Sequence, residues 1–132
     1  MNTESNRSWR RQFMPDEENV AEARHGARIV LASWDVPEDA VETITLVISE
    51  LATNAVRHAR RPGRTFDVAL TCNGEKVIEI EVSDGSPHHP ATRPYDPDAT
   101  SGRGLLLVEA LSEDWGVGYR EFGKGVWARV LS

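Results

Sequence analysis

Cysteine is almost missing from this 132-residue chain, where Cys72 stands alone. No internal disulfide is available, and the composition fits a reducing, cytoplasmic setting. No apolar run approaches the roughly 20 residues of a membrane span. No signal-peptide core precedes the first amphipathic segment, which again makes a cytoplasmic location the expectation. A cationic excess is missing too: 15 Lys and Arg against 21 Asp and Glu leave a formal net charge of −6. That charge gives no general attraction for nucleic acid or an anionic membrane. Arg7, Arg10 and Arg11 form only a small basic cluster. No internal repeat and no linker divides the sequence. Its length predicts one domain with a real core, and 39% hydrophobic and 27% charged residues are ordinary for a globular protein.

Within that frame, two helical patterns come first. Residues 1 to about 10 are polar, and residues 1–12 are expected to form a flexible N-terminal segment ahead of a single domain over 13–132. Val20, Ala23, Ala27, Val30, Leu31 and Trp34 keep helical spacing, which predicts a helix from Glu17 to Ser33 with Glu17 and Glu18 at its positive end. Pro37 is well placed to open a second helix that ends before Pro62-Gly63. In that helix Ile44, Ile48, Leu51 and Ala55 form one apolar line, with Val41 and Ala52 beside it. Glu50 and Asn54 are four apart and share a face about 100° round from that line. A carboxylate and a carboxamide one turn apart on the shoulder of a core suit a magnesium–phosphate site, since the amide oxygen ligates a hard cation and the carboxylate positions or deprotonates a nucleophile. Taken alone, the pair also reads as a surface glutamate and a boundary asparagine.

The pattern then changes to period two. Phe66, Val68 and Leu70 alternate with polar residues, Asn73-Gly74 signals a hairpin, and Ile78, Ile80 and Val82 return on one face of a partner strand. That strand runs into Asp84-Gly85. Residues 85–101 hold Pro87, Pro90, Pro94 and Pro97, four of the seven prolines. A proline-broken loop of this length is more often a lid or binding loop than a plain connector. Gly102-Arg103-Gly104 leads into a short buried helix from Leu105 to Leu111. Trp115, Val117 and Tyr119 alternate as a strand, Gly123-Lys124-Gly125 is expected to turn the last hairpin, and Val126 to Leu131 closes the chain. This order predicts an α+β, two-layer α/β sandwich with helices on one face of a mainly antiparallel mixed sheet.

Three spaced motifs, E-L-A-T-N-A at Glu50 to Ala55, V-S-D-G at Val82 to Gly85 and G-R-G-L at Gly102 to Leu105, resemble the GHKL superfamily, whose ATP site is the Bergerat fold. The resemblance covers nearly the whole chain and runs strongest toward small stand-alone anti-sigma-factor serine kinases. It implies that Asn54 ligates a Mg²⁺ bridging the phosphates and that Glu50 orients or activates the acceptor. Asp84 would accept a hydrogen bond from the adenine amino group. Gly85 belongs to the adenine box, and Gly102, Arg103, Gly104 and Leu105 to a second glycine box at a helix start. There, backbone N–H groups approach phosphate oxygens. A carboxylate at Asp84 favours adenine over guanine, whose oxo acceptor it would repel. ATP and Mg²⁺ are the implied ligands, and an anti-sigma antagonist and a sigma factor the implied protein partners. Small relatives commonly pair as homodimers through their sheet or first helix.

The sequence departs from the family pattern at the adenine box, where Ser86 and Pro87 replace the expected D-x-G-x-G continuation. Pro87 removes a backbone donor and stiffens the start of the loop. Two functions therefore stand side by side: a protein serine/threonine kinase, and a switch that holds ATP to capture a partner without transferring phosphate. Other features read more simply. Gly102-x-Gly104 meets Leu107 where a Rossmann fingerprint needs glycine. His58 finishes the second helix, His88 and His89 belong to a solvated loop, and Trp34, Trp115 and Trp127 pack rather than stack on bases.

Overall fold

The computed structural model describes residues 6–58, 65–73, 76–84, 106–120 and 123–132. Two helices, α1 (Glu17–Ser33) and α2 (Glu38–His58), lie against a sheet of five strands: β1 (Asn6–Phe13), β2 (Phe66–Asn73), β3 (Val77–Asp84), β4 (Asp114–Arg120) and β5 (Gly123–Leu131). The strand order is β1-β2-β3-β5-β4. Every pairing among these strands is antiparallel, so among the described residues the sheet is antiparallel rather than mixed. Residues 106–111 are helical, with Val108 in the core and Leu106 exposed.

Alternation decides which face of the sheet is covered. Phe66, Val68 and Leu70 of β2, Ile78, Ile80 and Val82 of β3, and Val126, Ala128 and Val130 of β5 are all buried. They meet the stripe of α2 formed by Val41, Ile44, Ile48, Leu51, Ala52 and Ala55, also buried. α2 packs across β2, β3 and β5, while α1 packs on α2 and β1. The opposite face of the sheet carries charge: Arg10 pairs with Asp67 at 2.9 Å and Arg129 with Glu79 at 3.4 Å. Of the tryptophans, Trp34 and Trp115 pack against the core, as expected. Trp127 is half-buried, with its indole over Gly116 and the Arg129 guanidinium 5.1 Å from its ring.

Helix α1 ends by a backbone device. Asp35 adopts φ 63°, and the N–H groups of Asp35 and Val36 donate to the carbonyls of Ala32 and Leu31 at 3.0 and 3.1 Å. This is a Schellman termination with aspartate at the left-handed position. The chain then enters α2, where the Pro37 carbonyl accepts the Val41 N–H at 3.0 Å.

Two expectations need correction. Residues 6–12, expected to be flexible, belong to β1, which pairs with β2 from Asn6↔Asn73 to Phe13↔Phe66. Phe13 is buried and stacks on Phe66 with centroids 5.2 Å apart, and Trp9 packs partly into the core. Those two aromatics drive the segment onto the sheet. Gly123, Lys124 and Gly125 do not make the last turn; they lie within β5, paired with Arg120, Tyr119 and Gly118. Both chain segments gain ladder hydrogen bonds by extending through these residues.

Candidate functional site

α2 places two polar side chains where the sequence predicts them. Glu50 is half-buried, and Asn54, one turn on, is only 5% exposed. Four residues advance a helix by about 40° beyond a full turn. Asn54 is therefore rotated further toward the apolar stripe and sits deeper than Glu50. Among the described residues its Nδ2 has no hydrogen-bond partner. A buried amide group left unpaired costs about 1–3 kcal/mol, and such groups are few in folded proteins. Oxygen and nitrogen of a carboxamide exchange by a flip. The same position therefore offers either a donor to a phosphate oxygen or an oxygen ligand to a hard cation.

Asp84 is fixed at the backbone. It closes β3, pairs with Phe66, and continues the parity of Ile78, Ile80 and Val82. Gly85, Gly102, Arg103, Gly104 and Leu105 lie outside the described residues, as do Ser86, Pro87, His88 and His89. His58 is the last residue of α2. Ser49 accepts a hydrogen bond from Arg24 Nη1 at 3.3 Å and has no base beside it in that contact.

Among the described residues no group of three or more His, Cys, Asp or Glu side chains could hold a metal ion. The donor set at Asn54 nevertheless fits magnesium of one kind. Mg²⁺ typically keeps several waters and binds through one or two protein oxygens plus substrate phosphates. Asn54 would supply the protein oxygen, and a triphosphate the rest. The arrangement suits positioning a phosphate chain, with Glu50 available at the exposed end for proton transfer.

One concave feature escaped the sequence reading. A groove of about 670 Å³ runs between α1 and α2, lined by Arg24, His25, Arg28, Thr45, Ser49 and Leu46 among others. The signal was the i, i+4 spacing of Arg24 and Arg28 off the apolar stripe of α1. Arg28 is paired with Glu38 and Glu42 at 3.0 and 3.6 Å. Among the described residues no helix is long and apolar enough to cross a membrane.

Comparison with known proteins agrees with this architecture. The chain resembles the structure of the RsbU and RsbW domains of Rv1364c from Mycobacterium tuberculosis, with TM-score 0.70 and 17% identity. That likeness covers 95% of this chain and 32% of the other, so the present chain spans about a third of the relative's length. At such low identity the likeness concerns the fold. No curated protein matches the sequence. The profile of the histidine kinase-like ATPase domain matches residues 13–130, nearly the full chain. The α2 pair, the antiparallel sheet and this match together identify the chain as a member of the histidine kinase-like ATPase domain family, within the GHKL superfamily.

Proposed function

We propose that this protein is an anti-sigma-factor-type protein serine/threonine kinase, which uses ATP and Mg²⁺ to phosphorylate an antagonist protein in the cytoplasm. The observation that carries the reading is the pair on α2: a half-buried Glu50 one turn ahead of a buried Asn54 whose amide nitrogen has no partner among the described residues. Membership of an ATPase-domain family makes ATP the nucleotide. In this reading Asp84 accepts a hydrogen bond from the adenine amino group. Gly85 belongs to the adenine box, while Gly102, Arg103, Gly104 and Leu105 receive the phosphates. Asn54 would hold the magnesium ion, which would supply neutralisation of the phosphate charge.

Glu50 then has one task. Its carboxylate takes the proton from an acceptor hydroxyl as that oxygen bonds to the γ-phosphorus. The bond from the γ-phosphorus to the β–γ bridging oxygen breaks, and ADP leaves. Such a base is worth about 10²–10⁴-fold in rate while adding little to nucleotide affinity. The test is transfer of labelled γ-phosphate to a serine or threonine of the antagonist. Glu50→Ala is expected to bind ATP and partner like the wild type and to transfer phosphate at least about 100-fold more slowly. A Glu50→Ala variant that transfers at the wild-type rate removes Glu50 as the base.

Ser86-Pro87 in the adenine box favours a second reading, a non-catalytic switch that binds ATP to capture its partner. A wild-type protein that binds ATP and partner yet transfers no phosphate selects the switch over the kinase.

A further inference from the structure

We draw no further inference here: the strongest candidate, the groove between α1 and α2 lined by Arg24, His25, Arg28, Thr45 and Ser49, carries nothing because nothing in the structure shows what covers it.

Discussion

Asn54 buries a carboxamide nitrogen that has no partner among the described residues, at a cost of about 1–3 kcal/mol relative to a satisfied group. Substituting an apolar side chain of similar shape removes that cost, so Asn54→Leu should match or exceed the wild type by up to about 2 kcal/mol in urea unfolding without nucleotide. The same variant should lose Mg²⁺-dependent ATP binding. A variant that is less stable and still binds Mg²⁺·ATP would mean the amide is structural. The identity of this residue was legible in the sequence because helical spacing fixes which side chains share a face. Its depth was less so. Spacing alone puts Glu50 and Asn54 on one shoulder, whereas the 40° or so of helical advance between them carries Asn54 into the core and leaves Glu50 half-buried. The strand-end place of Asp84 was equally legible, since strict alternation from Ile78 through Val82 carries the strand to it.

Elements with strong period and clear punctuation read well. α1 runs from Glu17 to Ser33 as expected, because apolar spacing, first-turn acids and a break at Trp34-Asp35 agree. Its termination offers a stability test. Aspartate in the left-handed region is tolerated at a cost that glycine does not bear, so Asp35→Gly should stabilise the domain by about 0.5–1 kcal/mol in urea unfolding. A loss of stability would show that the aspartate side chain outweighs its backbone strain. Strand β1 was hidden for a physical reason. Its inward positions are Arg7, Trp9, Arg11 and Phe13, so two of the four are arginines, and the Arg11 guanidinium lies 4.7 Å from the Phe13 ring centroid. The aliphatic stem of an arginine can cover apolar surface while its charge reaches water, which breaks the apolar alternation that reveals strands. The β4–β5 ladder depends on a missing side chain. A Cβ at Gly116 would sit 2.8 Å from the Trp127 ring. Gly116→Ala should therefore displace the indole and destabilise the fold by about 1–3 kcal/mol, read by thermal or urea unfolding. An unchanged midpoint would mean that Trp127 moves aside freely.

For the molecule as a whole, the two-layer plan followed from element order, since helices preceding a run of alternating strands must bury their stripes on one face of a sheet. What order alone could not give was the placing of β5 beside β3 with β4 outside it, or the addition of β1 at the far edge. Those pairings join segments remote in sequence, and local pattern carries no record of them. In the proposed reading, one nucleotide site is built from residues of α2 and from the end of β3. Its most direct test is calorimetric titration of the whole chain with ATP and with GTP, each with Mg²⁺ and again after chelation. The proposed site predicts ATP binding that weakens sharply on chelation and at least about 10-fold weaker binding of GTP, the discrimination expected when a carboxylate hydrogen bond worth roughly 1.5–3 kcal/mol is lost. Equal affinity for the two nucleotides, or ATP affinity unchanged by chelation, would contradict it.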